Sequence, residues 1–257
     1  MTGVKALVKK EFRSYFFSPV AYVVIGLFLL IMGSIFTKFV FIYQQYNTAQ
    51  RFGQAQGITL DKLAMFLYQN MAFILCFVTP FMTMRLFAEE KRQQTMELLL
   101  TVPIRGGELV VGKFLAAFLL MMVMVGISFI YVLFMILWGN PELPIIGATY
   151  LGLSLALGCY VSLGLLISAL TSSQAVAAIF TFVVLLFLWL LQSFGQGISA
   201  KTGFIDWGPL MVYVSPLGHF NNFSEGLVHL KDVVYFLTFI GFTLFLTHRA
   251  VESNRWR

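Results

Sequence analysis

The sequence predicts an all-α, polytopic membrane fold. Of its 257 residues, 59% are hydrophobic and 11% are charged, where soluble domains carry about a quarter charged residues. Mean hydropathy is +0.86. The apolar residues fall into runs long enough to cross a bilayer core as helices, which places spans at about 20–42, 65–84, 114–138, 145–170, 175–194 and 233–247 within one domain covering 1–257. The net charge of +6 has no soluble basic face to sit on, so a nucleic-acid partner is excluded and the surplus reads as topological. Cys76 and Cys159 both lie inside apolar runs, which supports neither a disulfide framework nor a metal site and fits small packing residues.

The chain opens with an amphipathic, basic helix over residues 4–17. Val4, Leu7, Val8, Phe12 and Tyr15 share one face, while Lys5, Lys9, Lys10 and Arg13 take the rest, so the helix lies along a membrane surface. Glu11 falls in the middle of the apolar face. A carboxylate there is costly unless paired, so a basic or hydrogen-bonding partner is expected from elsewhere in the fold; the alternative is that it marks a fray or bend. Ser18-Pro19 breaks this helix, and the first span follows, too long for a signal-peptide core and ending near a Lys38 that snorkels outward. Residues 43–64, rich in Gln and Gly, read as an external loop.

After the second span comes the main charged segment, residues 85–113. Arg85, Lys91, Arg92, Arg105 and Lys113 stand there against Glu89, Glu90, Glu97 and Glu108. High helix propensity over residues 89–100 predicts a short helix, stopped by Pro103 and Gly106-Gly107. Met96, Leu99 and Leu100 form an apolar ridge that fits a groove on another protein; the alternative is a solvated helix on the headgroups. The stretch from Gly107 to Gly112-Lys113 resembles a phosphate-cradling loop, but Phe114 replaces the magnesium-binding hydroxyl and no strand precedes it. Nucleotide binding by this chain is therefore rejected.

Spans three and four are joined by Gly139-Asn-Pro-Glu-Leu-Pro144, and span four carries small residues at i+4, Ser154, Gly158 and Ser162, then Gly164, Ser168 and Ser172. Such ridges let a second helix approach closely, within the chain in preference to between subunits. Thr171-Ser-Ser-Gln174 makes a tight turn into span five. Residues 195–232 mix short apolar pieces with Ser215-Pro216, His219, Glu225 and His229, and read as re-entrant or interfacial helices at the outer face. A metal site among His219, Glu225 and His229 is disfavoured, because no H-E-x-x-H pattern is present.

Charge asymmetry orients the chain. Lys5, Lys9, Lys10 and Arg13, the five basic residues of the charged segment, and Arg249, Arg255 and Arg257 fall on one side; Arg51, Lys62, Lys201 and Lys231 fall on the other. Both termini and the charged segment are then cytoplasmic. No Asp, Glu or His is expected at mid-depth in a span, which weighs against a proton-driven carrier, and no catalytic constellation is recognisable. The chain reads as a non-enzyme, its chemical energy arriving through another subunit.

Several of these features resemble the ABC-2 type transporter permeases. They are Lys10-Glu11-Phe12-Arg13 with Ser18-Pro19, Glu89-Glu90-Lys91-Arg92, Thr95-Met96-Glu97-Leu-Leu99-Leu100, Pro103, Gly112-Lys113 and the segment from Ser215-Pro216 to Gly226. The likeness covers essentially the whole chain and is strongest to the gliding-motility-associated (GldF-like) and NosY-like branches. Gln94 departs from it, standing where a glycine is common. The resemblance implies a multi-pass subunit of the bacterial inner membrane with no cofactor of its own. Two copies of a cytoplasmic ATPase would hold ATP and magnesium, and a second permease subunit, identical or homologous, would face it, with periplasmic or accessory membrane proteins as further candidates. The segment 89–100 would be the coupling helix, residues 1–18 the interfacial helix and residues 195–232 an outer cap. An ATP-independent carrier or channel, and a structural anchor of a larger complex, stand as alternatives.

Overall fold

A computed structural model describes residues 2–17, 19–51, 60–94, 106–139, 141–197, 201–202 and 205–253. Uninterrupted apolar runs become long helices, because a backbone in lipid must satisfy its hydrogen bonds internally. In chain order the helices are α1 (Thr2–Phe17), α2 (Pro19–Arg51), α3 (Leu60–Thr83), α4 (Ala88–Arg92), α5 (Gly106–Trp138), α6 (Leu143–Leu170), α7 (Gln174–Gly197), α8 (Trp207–Val214), α9 (Pro216–Ser224) and α10 (Leu230–Ser253). Six of them, α2, α3, α5, α6, α7 and α10, are long and apolar enough to cross a membrane. The fold is thus the expected helical one. Among the described residues the single departure is a two-residue antiparallel pairing, β1 (Lys201–Thr202) with β2 (Ile205–Asp206).

Several helices outrun the spans expected from hydropathy. Helix α2 continues past residue 42 to Arg51 through Gln44, Gln45 and Thr48. No Gly or Pro interrupts that stretch, and glutamine keeps good helix propensity. At 33 residues it is about 50 Å long, against a hydrocarbon core of ~30 Å. Helix α5 starts at Gly106, eight residues before the expected start at Phe114, with Glu108 in the first turn, where the helix dipole favours an anion. One consequence is that the glycine-lysine stretch from Gly107 to Lys113 is helical.

Helix α6 stands at the centre. Cys159, Val161 and Leu165 on it are fully buried against α3, α5 and α10, while large apolar side chains such as Leu30, Leu137, Ile179 and Phe242 point outward, as expected where the solvent is lipid. Two glycines of its small-residue ridges work inside the chain. At Gly158 an added Cβ would lie 2.6 Å from Ile240 Cδ1 of α10, and at Gly164 it would overlap Thr83 Oγ1 of α3. The turn at Thr171–Ser173 then sends α7 back antiparallel.

The length of α6, about 42 Å for 28 residues, separates two polar regions. Near its start, Thr149 donates to the Phe223 carbonyl of α9 at 3.2 Å; near its end, Ser168 holds the segment that leads into α4. Helix α4 and helix α9 therefore lie at opposite ends of the bundle.

The two glycines differ in what they face. Gly158→Ala should cost less than about 1 kcal/mol, since Ile240 can move its terminal methyl, whereas Gly164→Ala should cost about 1–3 kcal/mol, since the Thr83 Cβ itself would lie 2.8 Å away and no rotamer moves it. Thermal unfolding of the two variants in one detergent measures the contrast.

Candidate functional site

Burial of a charge needs a partner, and the α1 end of the bundle is organised by one such burial. The side chain of Lys113, on the second turn of α5, is 1% exposed. Its Nζ lies 2.6 Å from Glu90 Oε1 of α4 and 3.2 Å from Glu11 Oε1 of α1, and 5.2 Å from the centre of the Phe87 ring. Glu11 thus has the basic partner its place on an apolar face demanded. Around this contact Leu7 of α1 packs on Gly112, where an added Cβ would come within 2.6 Å of Leu7 Cδ2, and the Tyr15 hydroxyl donates to the Met82 carbonyl of α3 at 2.7 Å. Burial, aided by the Glu11 carboxylate, pushes the Tyr15 pKa far above its ordinary value, so that donor persists at any physiological pH. The lysine of the phosphate-loop look-alike is committed to two carboxylates.

A second clasp ties the segment after α3 to the end of α6. The buried Ser168 hydroxyl donates to the Met84 carbonyl at 3.2 Å and accepts from the backbone N–H groups of Phe87 and Ala88 at 3.1 and 3.2 Å. One donor and two acceptor sites exhaust what a hydroxyl offers. Lys91 donates through Nζ to the Ala169 carbonyl, one of the last carbonyls of α6 that have no partner within the helix. A cation at that terminus also meets the negative end of the helix dipole. The small-residue ridge was expected only to permit close approach; the structure gives Ser168 a hydrogen-bonding task.

The expected helix over 89–100 does not run through. Helix α4 stops at Arg92, Gln93 and Gln94 return their N–H groups to the Glu89 and Lys91 carbonyls, and Gln94 has φ of 56°. That is the left-handed conformation that commonly ends a helix and favours glycine, since a Cβ crowds the backbone there. Gln94, the departure from the resemblance, sits where the backbone would welcome a glycine. Glu89 takes a hydrogen bond from the Gln93 amide at 3.3 Å, and Arg92 is exposed. Lys10 and Arg13 are exposed on α1, with the Arg13 guanidinium 5.1 Å from the Phe17 ring centre. Thr95, Met96, Glu97, Leu99 and Leu100 lie outside the described residues.

At the other end, α9 is pinned by polar contacts. Ser215, at its N-cap, donates to the Leu188 carbonyl of α7 at 2.8 Å, and Pro216 takes a first-turn position where its missing N–H costs nothing. His219 Nδ1 lies 2.6 Å from Asp232 Oδ1, and its Nε2 lies 2.9 Å from the Tyr213 carbonyl. A carbonyl only accepts, so Nε2 carries a proton and the Nδ1–carboxyl contact shares a second. Asn222 donates to Asp232 Oδ2 at 2.8 Å, and the Tyr235 ring stacks on His219 at 3.9 Å. Glu225 and His229 are exposed and stand apart from this set. Among the described residues no group of three His, Cys, Asp or Glu is placed to hold a metal.

Asp232 and Lys113 carry these two regions, and neither was assigned that weight from sequence. Asp232 closed the outer region 195–232 read as re-entrant or interfacial helices, yet it sits fully buried in the first turn of α10. The usable signal was symmetrical: a carboxylate on the apolar face of α1 and a lone lysine opening an apolar helix each require a counter-charge.

Comparison with known proteins adds one finding. Residues 5–251 match the sequence family described as ABC-2 family transporter protein. No curated protein matches the chain at a significant level.

Lys113→Met leaves two carboxylates facing each other in a nearly dry site and should destabilise the protein by about 3 kcal/mol, with at least half recovered when Glu11→Gln and Glu90→Gln are added. Denaturation of the single and triple variants checks this. Gln94→Gly should stabilise by up to about 1 kcal/mol through relief of the left-handed backbone, seen as a higher midpoint in the same assay.

Proposed function

This chain belongs to the ABC-2 transporter family, and from that premise we propose that it takes its energy from a cytoplasmic ATPase seated on the α1 end of the bundle. It is a multi-pass membrane subunit, and the family's ATPase is a separate protein. The observation that carries the reading is the Lys113 contact, which joins the surface helix α1, the short helix α4 and the spanning helix α5 through one buried ammonium. A push on the segment 89–100 is then delivered to α5 and α1 through ion pairs and to α6 through Ser168 and Lys91. Buried links of this kind pass a displacement into the spans, where two packings with different access or affinity can be interconverted.

In the same reading both termini lie in the cytoplasm of a bacterial inner membrane, by the bias of basic residues toward the α1 end. Two permease subunits, identical or homologous, face each other above two ATPase copies that hold ATP and magnesium. Glu89, Glu90, Lys91, Arg92, Thr95, Met96, Glu97, Leu99 and Leu100 form the surface the ATPase grips, and α8 and α9 close the outer side. A GldF-like or NosY-like role, which rests on the sequence resemblance alone, extends this reading to either export or mechanical signalling.

Glu97→Lys combined with Leu99→Ala should weaken capture of the ATPase at least tenfold and uncouple hydrolysis from transport, with membrane insertion unchanged. Pull-down of the cognate ATPase in detergent measures it, and normal association would count against the reading. A cysteine placed at Arg92, with Cys76 and Cys159 replaced, should react with an impermeant thiol reagent only from the cytoplasmic side; labelling from outside would reverse the topology.

A further inference from the structure

A groove of about 400 Å³ runs between α1 and α5. Val4, Val8 and Phe12 line it at every fourth position of α1, and Leu115, Leu119 and Val123 do the same on α5. Residues four apart share a helix face, so each helix gives the groove one continuous apolar stripe. From Leu115 to Val123 the stripe rises about 12 Å, and Val123 stands close to the middle of the 33-residue helix α5, well inside the hydrocarbon. The chain does not fill this space itself. Leu119 is 44% exposed, and the other five apolar residues are only half-buried. Helix α1 is held to α5 instead by Leu7 on Gly112 and by the Glu11 pair with Lys113.

The rest of the lining is Lys5 and Lys9, again four apart on α1. Both are exposed, and neither forms an ion pair among the described residues. No carboxylate lines the groove; Glu108, in the first turn of α5, approaches Gly3 outside it. Two solvated cations therefore stand beside an apolar channel that descends along a spanning helix.

We infer that the groove holds an acyl chain of an anionic phospholipid whose phosphate is met by Lys5 and Lys9. The two halves of such a lipid match the two halves of the site: the lysines attract a negative headgroup at the membrane surface, and the stripe takes the chain out of contact with anything polar. A zwitterionic lipid brings its own ammonium and gains less from two lysines. A free phosphate gains nothing from the stripe, and a partner helix laid there would desolvate both lysines unless it supplied carboxylates. The inference goes beyond the ATPase reading, because it needs neither nucleotide nor partner.

The test uses the full chain, delipidated in detergent without ATP, and native mass spectrometry to measure binding of the first lipid. Dioleoyl phosphatidylglycerol is titrated in one arm and dioleoyl phosphatidylcholine in a second; in a third, glycerol 3-phosphate competes with the phosphatidylglycerol. Phosphatidylglycerol should bind at least about tenfold more tightly than phosphatidylcholine and should not be displaced. Lys5→Gln with Lys9→Gln should reduce it to the phosphatidylcholine level. Lys10→Gln with Arg13→Gln removes the same charge from exposed positions outside the lining and should cost less than about threefold. Leu119→Trp keeps both lysines and fills the groove, so binding should fall about tenfold there as well. All the substituted side chains are exposed, and each variant should keep the parent's thermal midpoint. No preference for phosphatidylglycerol, an equal loss in the two double variants, displacement by glycerol 3-phosphate, or unchanged binding in Leu119→Trp overturns the proposal. These outcomes indicate in turn no anionic site, attraction by the surface charge of α1 alone, a free-phosphate site, and a headgroup contact without the groove. Capture of the ATPase through Glu97 and Leu99 enters none of these readings.

Discussion

A lysine ammonium with almost no access to water is the constraint on which the α1 end depends. Lys113 is reached by carboxylates from two other helices, and a buried amine of this kind is tolerated only while those partners stay in place. The requirement acts backwards on the chain. It holds the surface helix α1 against α5, and it brings α4, which follows a span on the far side of the sequence, to the same spot. A cluster of leucines could bury as much area, but it would accept many registers; ion pairs of 2.6 and 3.2 Å accept few.

Helix α6 converts that local constraint into a property of the whole bundle. Its last turn is held by Ser168 and Lys91 to the segment around α4, its middle admits α3 and α10 at glycine positions, and its first turns carry α9 through Thr149. A helix some 42 Å long and packed on several sides does not bend cheaply, so a shift at one end is felt at the other. At that other end α9 serves two neighbours. His219 and Asn222 bind Asp232 of α10, while the adjacent Asn221 bonds to Gln69 of α3.

Much of the architecture was legible because lipid removes alternatives. Where no water can satisfy a backbone, an apolar run of sufficient length has to be a helix, and the six runs became six long helices. The carboxylate of Glu11 was legible for the same reason, since its position on an apolar face required a partner. Helix ends were less legible: α2 and α5 extend beyond their apolar cores because helix propensity outlasts hydropathy, and α4 ends early because Gln94 adopts a left-handed backbone that no apolar pattern announces.

The chain's order of residues alone determined that this protein crosses a membrane as a bundle of helices, which residues are greasy and which charged, and that Glu11 needed a counter-charge. Which charge answers it was decided only by the tertiary structure. Lys113 lies 102 residues from Glu11 and 23 from Glu90, and Asp232 lies 13 from His219, separations at which neither helical nor strand periodicity relates two side chains. Pairing over such distances depends on how whole helices pack, and that packing is set by the summed fit of many small contacts along α6.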